Sequence, residues 1–353
     1  MQADKMYMKK AVALAKKGRW HTYQNPLVGA VIVKNGQIIA TGYHAKYGAW
    51  HAEKMALATC SHPEELKGST LYVTLEPCAH YGKQPPCVQA VIDSGISRVV
   101  IGQVDPNPLV TGKGIQRLKD HHITVKVGVG QELVAALNPH YNYFYQHGLP
   151  YITLKQALSL DGKMTSYQGR RTQITGRAAN QLVHAERQAY QAILVGSGTI
   201  IADNPQLLPK PQEDHVPIRI ILDRRGRTLH FDQYHVFATT EPIWIFTKPE
   251  LVHLPTPPHV KLIGLTEPTV KAVVAYLAQQ KIQSVYVEGG ATIHRAFLAA
   301  GSYQEIVTYL APKILGTGLS AFAGKEAIDT TELQFDRIEK VGTDLKIVSK
   351  RRP

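Results

Sequence analysis

A chain of 353 residues with 44% hydrophobic and 19% charged side chains is long enough for two globular domains and too apolar to be disordered. Its net charge of +13 is dispersed, with 16 Lys/Arg against 9 Asp/Glu in residues 1–150, so no basic block marks a nucleic-acid binder. Three cysteines cannot close a disulfide framework, and no run nears the ~18 apolar residues of a membrane span, so a reducing, cytoplasmic setting is expected.

At the N-terminus, residues 11–15 form too short an apolar run for a signal peptide, despite Lys9, Lys10, Lys16 and Lys17 around it. Residues 27–33 and 37–42 flank Asn35-Gly36 and predict a hairpin. A helix is predicted over 51–60, with Cys60 as a small packing residue at its end, and an apolar strand over 70–75. A helix over 88–94 stops at Gly95. A strand at 98–104, a helix at 114–120 and a strand at 123–127 complete a mixed sheet with helices on its faces. Between Asn138-Pro139 and Leu149-Pro150 lies an aromatic cluster, Tyr141, Tyr143, Phe144 and Tyr145. It marks a boundary and is expected to pack two domains together, placed at 1–146 and 150–353. Beyond it, strands are predicted at 151–158, 191–195, 218–222, 242–246, 284–288 and 305–310. Helices are predicted at 177–188, 269–280 and 291–299.

The chemistry concentrates in two fragments. His51-Ala52-Glu53 supplies an imidazole and a carboxylate, and Cys78 and Cys87 supply two thiolates. A His and two Cys hold a catalytic zinc and leave one position open, while a nearby Glu moves protons without binding the metal. That inventory predicts hydrolytic deamination of a nitrogen heterocycle, with Glu53 as proton shuttle. The competing reading is a closed structural zinc site with His80 as fourth ligand, which would leave Glu53 without a task. In the second half, two apolar strands run into small-residue turns, at Gly196-Ser197-Gly198-Thr199 and at Glu288-Gly289-Gly290. Such turns let backbone N–H groups approach phosphates, but neither is a dinucleotide fingerprint.

The spacing of the cysteines discriminates further. Common deaminase signatures separate them by two residues, whereas eight intervene here. The loop Pro77-Cys78-Ala79-His80-Tyr81-Gly82-Lys83-Gln84-Pro85-Pro86-Cys87 resembles the deaminase half of the bifunctional riboflavin-biosynthesis deaminase–reductases. Gln84 departs from that family's usual Thr. Asn25-Pro26-Leu27-Val28-Gly29, Gly42-Tyr43-His44 and Asp105-Pro106-Asn107-Pro108 with Gly112 and Gly114 are similar to the same family. Lys155 to Lys163 with Asp161-Gly162, Ser197-Gly198-Thr199 with Asp203-Asn204-Pro205, and Glu288-Gly289-Gly290 resemble its reductase half.

The resemblance implies an α/β protein: a cytidine-deaminase-like three-layer α/β/α domain followed by a dihydrofolate-reductase-like α/β domain. It implies one Zn²⁺ per chain and NADPH. The implied substrate is a diaminopyrimidinone carrying a phosphoribosylamino group, deaminated first and then reduced at C1′ of its ribose. By matching position, Asn25, His44, His80 and Lys83 would hold that substrate. Ala157, Gln173, Thr199, Asp203 and the run Gly290, Ala291, Thr292, Ile293, His294, Arg295, Ala296 would line NADPH. Arg171, Arg187, Leu207, Lys210 and Glu288 would face the reductase substrate, with Arg187 and Lys210 suited to its phosphate. Arg171, Gln173 and Lys210 depart from frequent family residues. Arg224, Arg225 or Arg227 would suit the cofactor's 2′-phosphate. The acid of the reductase step stays open among Lys155, Asp203 and Glu288. The rivals are a nucleoside or nucleic-acid deaminase with an appended binding domain, and a non-catalytic zinc scaffold. A homo-oligomer is the base-rate expectation.

Overall fold

The computed structural model describes residues 2–79, 85–167, 172–212, 215–324 and 329–352. The chain divides into two compact units, Met1–Gly148 and Leu149–Pro353.

In the first unit, helix α1 (Gln2–Ala15) precedes the hairpin β1 (Gly29–Lys34) and β2 (Gln37–Tyr43). Helix α2 (Ala52–Ala58), strand β3 (Thr70–Leu75), helix α3 (Cys87–Asp93), strand β4 (Arg98–Gln103), helix α4 (Lys113–Asp120) and strand β5 (Thr124–Val127) follow. Helices α5 (Gln131–Ala135) and α6 (Pro139–His147) close the unit. The sheet order is β2-β1-β3-β4-β5, antiparallel at β1 and parallel from β3 to β5. Asn35 and Gly36 take φ of 50° and 79°, which is why this pair makes the predicted tight turn.

Strand periodicity builds three layers. Ala30 and Ile32 of β1, Leu71 and Val73 of β3, and Val99 and Ile101 of β4 pack with Ala52, Ala56, Val88, Val91 and Leu118 from α2, α3 and α4. The alternate residues Val31, Val33, Tyr72 and Val100 pack with Tyr7, Met8, Ala11, Val12 and Val134 on the other face. Gly42 lets α2 sit close against β2, since a Cβ there would lie 2.3 Å from Ala52 O. The predicted boundary segment is itself helical, and its Tyr141 and Phe144 are buried.

Helix α1, which the sequence reading missed, is tied down by a buried charge. Asp4 accepts from Arg98 Nη1 at 3.0 Å and Nη2 at 2.9 Å, Lys126 Nζ at 2.9 Å and Tyr72 Oη at 3.0 Å. Arg98, despite the opposing effect of burial, and then Lys126 hold its carboxyl far below the usual carboxylate range. Asp4→Ala strands the Tyr72 hydroxyl and the Arg98 guanidinium. It should lower stability by about 1–3 kcal/mol, read as an earlier unfolding transition. An unchanged transition would remove this anchoring role.

The second unit runs β6 (Tyr151–Ser159), β7 (Lys163–Thr165), α7 (Arg177–Glu186), β8 (Ala192–Gly196), α8 (Ser197–Asp203), β9 (Ile218–Leu222), β10 (Ile243–Thr247) and β11 (Val260–Gly264). It continues with α9 (Val270–Gln279), β12 (Ser284–Val287), α10 (Ala291–Ala299), β13 (Glu305–Ala311), β14 (Leu319–Ser320), β15 (Leu333–Val341) and β16 (Asp344–Arg351). The main sheet has the order β11-β10-β9-β8-β12-β6-β13-β16-β15. It is parallel through β13, and β16 lies antiparallel to both neighbours. Because β8 and β12 are adjacent and parallel, the two glycine turns that follow them emerge side by side.

Candidate active sites

The first site forms where α2 and α3 begin. His51 is the N-cap residue of α2 rather than its first helical residue, with φ −69° and ψ 162°. That leaves its ring free of the helix ladder while Glu53 falls in the first turn. Cys78 follows β3, and Cys87 opens α3. His51 Nδ1 stands 3.6 Å from Cys78 Sγ and 3.3 Å from Cys87 Sγ, and all three donor atoms lie within 4.8 Å of one another. Donors at 2.0–2.3 Å from a shared tetrahedral ion stand roughly 3.5 Å apart, so one nitrogen and two sulfurs in this arrangement fit zinc.

Of the two thiols, Cys78 is already biased toward that role. Hydrogen bonding from Cys87 and then His51 holds Cys78 well below the ordinary thiol range, at about 4, against the pull of burial. Cys87 is pushed the other way by Cys78 and by burial. The Cys87 backbone N–H also donates to Cys78 Sγ at 3.4 Å. Glu53 is 3% exposed. Burial raises its carboxyl to about 7, with His51 opposing.

The residues matched to the substrate divide. His80 and Lys83 lie outside the described residues. Asn25 Nδ2 meets His44 Nε2 at 3.1 Å, and His44 Nδ1 meets Trp50 O at 3.0 Å. His44 is 2% exposed, and burial lowers its pKa. Both ring nitrogens are thus engaged by protein, and His44 holds the backbone next to His51, whose ring it meets edge-on at 5.5 Å.

In the second unit the register pairs Val287 with Leu154, so the next residues, Glu288 and Lys155, stand side by side. Lys155 Nζ is 3.6 Å from Glu288 Oε2. Arg187 grips the same carboxylate with Nε at 2.6 Å and Nη2 at 3.0 Å, and its Nη1 donates to Leu208 O at 2.9 Å. The sequence reading suited Arg187 to a substrate phosphate; in the structure its donors are directed at Glu288 and Leu208. Leu207 is 3% exposed and packs with Val195, Ile200 and Val236 in the core. Lys210 is exposed, and Arg171 lies outside the described residues.

Of the residues matched to NADPH, Thr199, Asp203 and the 290–296 run follow the two glycine turns. Gly196 caps α8, which carries Thr199 and ends at Asp203, and Gly290 caps α10. Ile293 packs against the backbone at Gly196 and Gly289, locking the two turns together. Within the 290–296 run, Ala291 and His294 are buried, whereas Thr292 and Ala296 are exposed. His294 is held neutral by burial, at about 4. Ala157 shares a strand face with Lys155, and Gln173 is exposed. Arg224, Arg225 and Arg227 are all exposed, and Arg227 Nη2 donates to Ser197 Oγ at 2.7 Å, which sets it beside the first turn.

Comparison with known proteins agrees with this layout. A family described as the cytidine and deoxycytidylate deaminase zinc-binding region matches residues 1–103, and one described as the RibD C-terminal domain matches residues 150–347. The riboflavin biosynthesis protein RibD of Bacillus amyloliquefaciens is 41% identical over 98% of this chain and 96% of its own length. Its counterpart in Aquifex aeolicus is 40% identical over 99% of both. This chain belongs to the RibD family. Two solved RibD-family structures have the same fold. Acinetobacter baumannii RibD (35% identity) has a TM-score of 0.90 over 100% of this chain and 99% of that one. A diaminohydroxyphosphoribosylaminopyrimidine deaminase/5-amino-6-(5-phosphoribosylamino)uracil reductase of Thermotoga maritima (37% identity) has a TM-score of 0.90 over 99% of both.

Within this RibD-family chain, the Lys155–Glu288–Arg187 triad carries a pH signature. Burial would raise the Glu288 carboxyl, but Arg187 and then Lys155 outweigh it and hold it at about 2. A depressed carboxylate stabilises fully above its unfolded value and loses that contribution as pH falls through its folded value. The stability gap between wild type and Glu288→Gln should therefore be on the order of 3 kcal/mol at neutral pH and close between about pH 4.5 and 2. Lys155 shifts downward because burial there exceeds the help of Glu288, so the whole triad contributes less than the Glu288 side alone. A gap that stays constant through that window would contradict the pairing.

Proposed function

We infer that the chain catalyses two successive steps of riboflavin biosynthesis. The first is hydrolytic deamination of 2,5-diamino-6-(5-phosphoribosylamino)pyrimidin-4(3H)-one. The second is NADPH-dependent reduction of the ribosyl group to ribityl. The observation that carries this reading is the convergence of His51, Cys78 and Cys87 beside buried Glu53 in the first unit of a RibD-family chain. A nucleoside or nucleic-acid deaminase would not account for the second unit, which matches the RibD C-terminal domain.

His51, Cys78 and Cys87 would hold zinc, which when bound acidifies a water near neutral pH. Glu53 accepts the proton of the attacking water and delivers it to the adjacent ring nitrogen; it then takes the proton of the newly added hydroxyl as the C=O forms and passes it to the amino group, which leaves as ammonia. A carboxyl raised to about 7 by burial is matched to taking and returning a proton at neutral pH. His44 and Asn25 orient the His51 end of the site through Trp50 O.

In the second unit NADPH, when bound, supplies the hydride. The chain presents backbone N–H groups at the starts of α8 and α10 for the cofactor's phosphates, and Arg227 beside Ser197 suits the 2′-phosphate. Among the three candidate acids, Glu288 is held ionised and Asp203 is exposed, whereas Lys155 is a partly buried amine of lowered pKa. We assign the proton to Lys155. As hydride reaches C1′, the C1′–O4′ bond breaks and O4′ takes the Lys155 proton.

No helix among the described residues is long and apolar enough to cross a membrane. A cytoplasmic setting suits a site that needs two reduced thiols, and self-association is proposed on base rates alone. The test is incubation with the diaminopyrimidine substrate, following ammonia and NADPH together. One ammonia per substrate without NADPH, and equimolar NADPH oxidation once it is added, is the expected result. Release of ammonia from cytidine or tRNA but not from this substrate would overturn the reading.

A further inference from the structure

We propose that Glu76 is a positioning residue for the zinc centre, clamping the Cys78 segment onto the 105–115 loop. The inference rests on the zinc-deaminase reading above. Glu76 is 3% exposed and stands between the last residue of β3 and Pro77-Cys78. Among the described residues, its carboxylate is met by backbone rather than by a cation. Oε2 accepts from Asp105 N at 3.3 Å and Gly112 N at 3.0 Å. Oε1 accepts from Gly114 N at 3.0 Å and Ile115 N at 3.2 Å. The last two are first-turn N–H groups of α4, which have no partner inside their own helix. A buried carboxylate held by this many N–H donors is rigidly aimed.

The grip extends to the metal ligand. A Cβ on Gly114 would lie 2.1 Å from Pro77 O, so only glycine allows α4 to press on the Pro77 backbone. On the opposite side Val88 N donates to Cys78 O at 3.2 Å. Cys78 is therefore held between two clamps, Glu76 with α4 on one side and the start of α3 on the other. The Asp105 carboxylate, accepting from Asn107 N at 2.8 Å and Tyr141 Oη at 2.9 Å, stiffens the loop that Glu76 holds. Glutamine at position 76 would turn an NH₂ group toward two N–H donors and break one half of the clamp.

The experiment uses full-length Glu76→Gln and Glu76→Asp. Zinc affinity is measured by chelator competition, ammonia release at saturating zinc, NADPH oxidation on the deaminated intermediate, and thermal unfolding. Positioning predicts zinc affinity lowered about 10- to 100-fold in Glu76→Gln, with kcat for ammonia release down by a similar factor. KM should stay within about threefold, and NADPH oxidation should be unchanged. Glu76→Asp, which keeps the charge, should fall between the two. If Glu76→Gln does not fold, Glu76→Asp decides by the same criteria. Unfolding at lower temperature with zinc affinity and kcat within about twofold of wild type would make Glu76 a brace of the fold only, and overturn the proposal. Failure of both variants to fold at saturating zinc would overturn it in the same way. A wild type that binds zinc but releases no ammonia would sink the deaminase reading, while the zinc-affinity comparison would still judge Glu76.

Discussion

Replacing Glu53 by Gln should slow ammonia release by about 10²- to 10⁴-fold, the usual contribution of a positioned acid–base group. Glutamine keeps the size and part of the hydrogen-bonding capacity of Glu53 but can neither accept nor return a proton. Because the donor set is His51, Cys78 and Cys87, zinc content should not change. Glu53→Gln should also oxidise NADPH normally when given the already deaminated intermediate, since the Lys155–Glu288–Arg187 cluster lies wholly in the second unit. Turnover within about twofold of wild type would end the proton-shuttle assignment. Loss of both activities would contradict independent sites.

The legibility of this protein from sequence followed local physics. The strands at β3, β4 and β9 are apolar and short, and Asn35-Gly36 satisfies a turn that demands positive φ, so these features were predictable. Helix α1 is masked in the sequence by its lysines, although Tyr7, Met8, Ala11, Val12 and Ala15 recur at helical spacing. Helix α8 reads as a turn because Ser197, Gly198 and Thr199 are poor helix formers. It forms because Gly196 caps it and Ile200 is buried under it. Strands β15 and β16 carry many exposed residues and alternate poorly, and they are held by pairing with each other and with β13.

The sites divide in the same way. The zinc donors were legible because the chemistry needs those residue types, and the loop between the cysteines matched a family motif. What could not be read was which polar groups satisfy each other. Arg187 and Glu288 are 101 residues apart in sequence, and no local pattern announces their bidentate pairing. His44 was matched to substrate, yet Asn25 and the Trp50 carbonyl occupy its ring. Glu76 left one signal that was available: a charged residue directly continuing a strand whose last five residues are buried. A carboxylate in that position needs partners, and the glycines at 112 and 114 were the place to look for backbone donors.

Lys155→Met should lower NADPH oxidation on the deaminated intermediate by about 10²-fold or more and leave ammonia release intact. The argument is one of protonation states. Arg187 keeps Glu288 ionised, so that carboxylate has no proton to give at neutral pH. Lys155 is held below its ordinary 10.5, because burial weakens its charged form more than Glu288 supports it. An acid of lowered pKa gives up its proton more readily, and it remains paired with a carboxylate that orients it. The protonated form is the active one, so the rate should fall as pH rises through this lowered pKa, and the alkaline limb should lie below 10.5. In Lys155→Met that limb should vanish along with most of the rate. Lys155→Arg separates charge from proton delivery: it preserves the cation beside Glu288 but does not release a proton in this range. If Lys155→Arg restores the wild-type rate, Lys155 serves only as a positive charge, and the proton to O4′ comes from elsewhere.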